Sequence, residues 1–293
     1  FLWNEKAIQI VAGPCSVESE EQLFATARGL KKIGIQTLRG GIWKPRSRAH
    51  HFEGVGEPGL RWLQQVLQEL SMQVAIPGLP LFCGSMHPDL FFVRDVDVNY
   101  AGVVKGRKEE FVRLGLTEKT HYLASTGIQG QIADSRSLVL LDAYAVDGLQ
   151  AEQIRFLHAP EYLNPTYEYG VTFERGTAVE YGDRKHIFIS GTASIDNRGE
   201  VVYPGNIAGQ TRRMLLNIEA LLKEAGSSLA DLAKMIVYLR DIADYPIVRD
   251  LMEQQFPDVP KVIVLAPVCR PGWLIETECI AIKAGGNPEF RNL

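Results

Sequence analysis

Two glutamates stand two residues apart in the stretch LIETECIAI, residues 274–282. Read as a strand, it puts Leu274, Glu276 and Glu278 on one face and Ile275 and Thr277 on the other. Carboxyls that close raise each other's pKa wherever both are screened from water. A carboxyl that keeps its proton near neutral pH can act as a general acid; the alternative is a solvated acidic pair. A second candidate is the turn Ser190-Gly191-Thr192 at a strand end. Backbone N–H groups there could meet a carboxylate or a carbonyl oxygen, with Gly191 permitting close approach and Thr192 adding a hydroxyl. A third is cationic. Arg39 ends a predicted strand, and Lys44 and Arg46 follow the Gly40-Gly41 turn. Three positive groups could thus converge at the carboxyl end of a parallel sheet, where α/β folds bind ligands. Otherwise they are ordinary solvated loop cations.

The elements that must hold these groups fall into two grammars. Residues 7–12 (AIQIVA) predict a buried strand, and Leu23, Ala27, Leu30 and Ile33 have helical spacing, stopped by Gly34. A strand at 35–39, a helix at 57–70 and a strand starting at 72 continue a parallel βαβαβ run. After Ile76-Pro77-Gly78 the pattern changes: "FFVRDVDVNYAGVV" and "RSLVLLDAYAV" alternate like strands with one exposed face. From residue 171 a hairpin with Gly182-Asp183 in its turn, a helix carrying Ile207 to Leu222, a strand at 234–239, a helix at 243–255 and strands at 261–267 and 274–283 give the order ββαβαββ. This predicts an α+β mixed sheet with two helices on one face, preceded by an incomplete α/β segment. The boundaries expected are 1–75, 76–166, 167–285 and a tail at 286–293.

The 293 residues carry 31 basic and 35 acidic side chains, a net charge of −4, which argues against a general nucleic-acid surface. No apolar run is long enough for a membrane span. The start, FLWNEKAIQIV, lacks a signal-peptide pattern and an initiating Met, so the natural chain is expected to begin earlier. Four cysteines without CxxC spacing read as reduced thiols of a cytoplasmic protein. The six histidines show no metal spacing; no metal and no cofactor are expected.

The motifs AGPCSVES, LRGG and GIWKPRSRAHHFEGVGEPGL resemble DAHP synthase, the first enzyme of the shikimate pathway. That resemblance covers residues 5–75 and implies a metal ligand at Cys15, with phosphoenolpyruvate and aldose-phosphate contacts from Arg39, Lys44 and Arg46. It also implies the start of a (β/α)8 barrel. A barrel needs about 250 residues, so this remnant is not expected to perform the synthase reaction. From about Leu79 onward, YEYGVTFERG, FISGTASID, VYLRD and APVCRPGWLIETECIA resemble the chorismatase branch of the RidA/YjgF superfamily. The resemblance implies an enzyme that cleaves chorismate, a small dicarboxylate, with Glu276 as the catalytic carboxyl. Arg175, Arg240, Lys261 and Arg270 become candidate carboxylate clamps or, failing that, surface ion pairs. It implies that Cys269 selects 3-hydroxybenzoate plus pyruvate as products, or else is a packed small side chain. Tyr169 would close the pocket over the substrate ring or belong to the core. A homotrimer is implied as well. The alternatives are a RidA-type enamine/imine deaminase, weakened by lysine at position 261 where RidA proteins keep an arginine, and a non-catalytic scaffold carrying a synthase remnant.

Overall fold

The computed structural model describes residues 11–14, 16–42, 55–75, 86–130, 137–146 and 148–292. Two compact units emerge, one from the described residues up to Ala75 and one from the described residues from Met86 onward. In the first, β1 (Val11–Ala12), β2 (Thr37–Arg39) and β3 (Gln73–Ala75) form a parallel sheet in that order. The linking helices are α1 (Glu20–Lys32) and α2 (Glu57–Leu70). Ser19 starts α1 by accepting the Gln22 N–H at 3.2 Å, an N-cap that satisfies a donor the helix leaves open. Leu23, Phe24 and Ala27 of α1 and Leu63 and Val66 of α2 pack with Leu38 and Met72. This is the expected partial α/β segment. Cys15, Lys44 and Arg46 lie outside the described residues; Arg39 is half-buried at the end of β2.

The second unit opens with β4 (Met86–Val93), α3 (Val96–Arg113), β5 (Ser125–Gln129) and β6 (Val139–Ala145), the strands forming a sheet in the order β5-β4-β6. The sequence predicts a strand through 91–104, but the chain turns at Arg94-Asp95 and runs as a helix from Val96. Alternation of Val96, Val98 and Tyr100 mimics a strand, yet the helix simply leaves Val98 exposed.

The main sheet has six strands, ordered β11-β10-β12-β9-β8-β7. These are β7 (Ile154–Leu157), β8 (Gly176–Glu180), β9 (Arg184–Ala193), β10 (Leu232–Leu239), β11 (Lys261–Leu265) and β12 (Ile275–Ala284), antiparallel except for the β10–β11 pair. Helices α4 (Ile207–Glu224) and α5 (Tyr245–Gln255) pack on it. Asn206 caps α4 by accepting the Gly209 N–H at 2.9 Å. Ile207, Met214, Ile218, Leu221 and Leu222 supply its buried stripe, meeting Ile187, Ile189, Met235, Val237, Cys279 and Ala281 of the sheet. The ββαβαββ order is as predicted, with β7 as an added edge.

One local feature positions the site. Register shifts where β9 passes Glu278 of β12, a bulge at Ser190-Gly191. Strand β5 is fastened there: Ser125 N–H donates to Ser190 Oγ and Gly191 N–H to Thr126 Oγ1, both at 2.9 Å. Further along, Gln129 N–H donates to the Pro267 carbonyl at 2.9 Å. Strand β5 is thereby tied to both the bulge and the 266–270 loop.

Candidate active site

Strand β12 carries Glu276 into this junction, where it is 2% exposed. A Cβ at position 191 would stand 1.9 Å from Glu276 Oε1, so the carboxyl occupies the space that glycine leaves free. Oε2 is buried without a hydrogen-bond partner. Burial is the main force on its titration, repulsion from Glu278 adds to it and Arg175 opposes it; the pKa is pushed up to about 8. The group is a neutral acid at pH 7. Burial also raises Glu278, against the stabilising hydroxyls of Thr126 and Tyr238 and the charge of Lys234. The spacing suggests that the two carboxyls raise each other; Glu278 does raise Glu276, with desolvation the larger cause, whereas Glu278 is raised by burial alone. Glu278 faces a separate concavity shared with Asp142, His186 and Lys234.

Glu276 opens onto a small, narrow recess that is partly open to solvent. Its walls are largely aromatic and come from three places: Tyr100 of α3, Tyr169 and Phe173 before β8, and Trp273 before β12. Ser125 and Gly127 of β5, Val171, Gly191, Cys269 and Arg270 complete the lining. Tyr169 Oη is buried and unpartnered. Burial first, then the nearby Cys269 and Glu276, push its pKa up to about 12 against the pull of Arg175 and Arg270. Burial, followed by the charge of Glu276, raises the Cys269 thiol so far that it stays protonated, although the Tyr100 hydroxyl beside it acts the other way. The recess therefore holds protonated groups: a carboxylic acid, a thiol and phenols.

The four candidate cations do not behave alike. Arg270 lines the recess, stacks over the Tyr169 ring at 5.3 Å and donates to the Tyr169 carbonyl at 3.3 Å. Arg175 stands behind the aromatic wall, its guanidinium over Tyr169 and Phe173 at 5.3 and 5.5 Å. Its Nε and Nη2 are spent on Asn164. Arg240 is not brought to the recess; it grips Asp97 with two N–H groups at 3.2 and 3.3 Å and also donates to the Val268 carbonyl. Lys261 is not brought there either. It donates to the Phe256 carbonyl at 2.8 Å, pairs with Glu253 at 3.2 Å and so finishes α5. Type and charge select all four in the sequence, but strand register and helix ends decide where they point. Two further expectations change. The Thr192 hydroxyl donates to the Ser190 carbonyl at 2.8 Å rather than facing the recess, and the Gly191 N–H is already held by Thr126.

Sequence reasoning misses Tyr100, Phe173 and Trp273. The last two sit inside the quoted motifs YEYGVTFERG and APVCRPGWLIETECIA, where an aromatic beside a glycine or proline turn was the available signal. Tyr100 was hidden by the strand reading of its helix. Among the described residues no three His, Cys, Asp or Glu side chains are gathered as a metal ion requires, and no helix is long and apolar enough to cross a membrane.

Comparison with known proteins agrees with this layout. The profile of the family described as Endoribonuclease L-PSP matches residues 176–283, and that of the DAHP synthetase I family matches residues 3–90. A phospho-2-dehydro-3-deoxyheptonate aldolase of Thermotoga maritima is 44% identical over 70 residues, which are 24% of this chain and 21% of that protein. This chain thus spans about a fifth of the length of that relative. A RutC family protein of Pyrococcus abyssi is 37% identical over 99 residues, 33% of this chain and 78% of its own. A 3-hydroxybenzoate synthase of Streptomyces hygroscopicus is 30% identical over 200 residues, 62% of this chain and 57% of that one. A chorismatase crystal structure shares the fold with a TM-score of 0.59 and 21% identity, covering 74% of this chain and 66% of its own. With a sheet, helix order and sequence match that run through residues 176–283, the chain belongs to the RutC (Endoribonuclease L-PSP) family, joined to a DAHP-synthase-like N-terminal segment.

Proposed function

We propose that the recess binds an enolpyruvyl ether of the chorismate type and that Glu276 protonates the terminal methylene carbon of its enol. The observation that carries this reading is the Glu276 Oε2: buried, unpartnered, and part of a carboxyl that holds its proton at neutral pH. As the methylene takes that proton, the ether oxygen stabilises positive charge on the adjacent carbon. The neighbouring ring hydroxyl of the substrate adds there to give a cyclic ketal; cleavage of that hydroxyl's bond to the ring carbon, with loss of a ring proton, opens the ketal, releases pyruvate and leaves the former ether oxygen on the aromatic ring. A carboxylic acid that needs no ionised partner suits the first step. Arg270 meets one substrate carboxylate directly, and Arg175 adds positive field from behind Tyr169.

Cys269 enters as a neutral thiol, not as a nucleophile. It shapes the wall against which the ring lies, and the aromatic product is favoured: pyruvate and 3-hydroxybenzoate together contain the atoms of chorismate with no water gained or lost. The likeness to the 3-hydroxybenzoate synthase supports this outcome. Assembly as a homotrimer, in the cytoplasm, belongs to the same proposal, and mass by light scattering tests the former.

The decisive experiment incubates the pure protein with chorismate and separates the products. Release of 3-hydroxybenzoate with pyruvate is expected. Turnover of 2-aminoacrylate in place of chorismate transfers the chain to the enamine deaminases, and turnover of neither makes it a scaffold.

A further inference from the structure

Arg240 has the sequence position of a ligand clamp but the surroundings of a fastener. One of its partners is Asp97, in the first turn of α3, held by two N–H groups. The other is the carbonyl of Val268, the residue before Cys269. Tyr100 follows Asp97 by three residues on α3, which places the two on neighbouring positions of one helix face. The two structures that Arg240 grips therefore carry adjoining parts of the recess wall: Tyr100 from α3, and Cys269 with Arg270 from the loop. Tyr100 in turn leaves no slack, because a Cβ on Gly127 would stand 2.8 Å from its ring.

We infer that Arg240 and Asp97 form a latch that closes one side of the recess by holding the α3 helix against the 266–270 loop, so that Tyr100 lies beside Cys269 and water does not enter between them. Arg240 is then a positioning residue, and its effect on products rests on the reading of the recess given above. The planar fork matters, since only a guanidinium reaches a carboxylate with two bonds and a carbonyl with a third. A loosened latch admits water to the carbocation formed after protonation. Water addition leads to pyruvate and a dihydroxycyclohexadiene acid, which together contain one water more than chorismate, whereas the aromatic route gains none.

The test uses the full chain and the variants Asp97→Asn and Arg240→Lys, with Gly127→Ala as a second route that displaces Tyr100 directly. Alkylation by iodoacetamide is followed by mass spectrometry at Cys269 and at Cys279, which is buried in the main core and reports general loosening. The expected result is a rise of about tenfold at Cys269, the scale set by losing interactions of this strength, with Cys279 unchanged. With chorismate, the dihydroxy acid should appear beside 3-hydroxybenzoate. Labelling that rises without any chorismate turnover upholds the latch and removes only the substrate reading. Unchanged labelling at Cys269, or a parallel rise at Cys279, overturns the latch.

Discussion

Replacing Glu276 by glutamine should abolish turnover and make the protein more stable at alkaline pH. The carboxyl moves from an ordinary 4.5 to about 8 on folding. Between those values the folded state binds more protons than the unfolded one, so stability is full below pH 4.5 and declines as pH rises through 8. At about 1.36 kcal/mol per pKa unit, the decline is about 3 kcal/mol by pH 7 and approaches about 5 kcal/mol above pH 8. Glutamine cannot ionise and escapes it. Whatever constant offset the amide brings, the stability gap between variant and parent should widen with pH, reaching roughly 10 °C in Tm near pH 8 for a unit of this size. Thermal denaturation from pH 4.5 to 8.5 measures the gap, and chorismate turnover at each pH measures the activity, which should fall at least about 100-fold in the variant. In the parent enzyme kcat/KM should decline above pH 8 as the acid form disappears. Melting curves that stay parallel across the range would refute the reasoning, because they would mean that Glu276 titrates as it does in water.

Gly191→Ala should cost about 2 kcal/mol and most of the activity, since its Cβ would meet Glu276 Oε1 at 1.9 Å; urea unfolding and turnover check both. Arg175→Lys keeps the charge but loses the fork to Asn164 and the contact with two rings, so stability should drop by about 2 kcal/mol and KM should rise. Lys261→Ala should lower stability by about 1 kcal/mol with kcat/KM kept within about twofold; a fall in kcat/KM at unchanged stability would mean that this lysine reaches substrate. Glu278→Gln removes a repulsion from Glu276, so the alkaline limb of the pH–rate profile should move to lower pH.

What could be read in the sequence was what depends on local periodicity and residue type. The strand holding Glu276, the helix from Ile207 and the hairpin around Gly182 follow from alternation, apolar spacing and turn chemistry, which give their order along the chain; the order of the strands within the sheet came only with the fold. Helix α3 was missed because Val96, Val98 and Tyr100 alternate, and nothing local signals that the chain has already turned at Asp95, whose backbone is left-handed. Glu276 could be singled out because two glutamates on one face are a local pattern and because it lies in a motif that resembles the chorismatases; its burial could not be read locally. Direction was not legible for the cations: Arg240 and Lys261 find partners 143 and 8 residues away, Asp97 and Glu253, through contacts that no spacing encodes.

Strand β5 and the aromatic wall have one more consequence. Tyr100, Ser125, Gly127, Tyr169 and Phe173 all precede Gly176, where the match to the L-PSP family begins. A protein trimmed to residues 176–283 would keep Glu276 and the strands beneath it, but that glutamate would look out on open solvent along that side and titrate accordingly. The burial that raises the Glu276 carboxyl is thus set in part by residues upstream of the L-PSP match, in a stretch that the likeness to the 3-hydroxybenzoate synthase, covering 62% of this chain, also reaches.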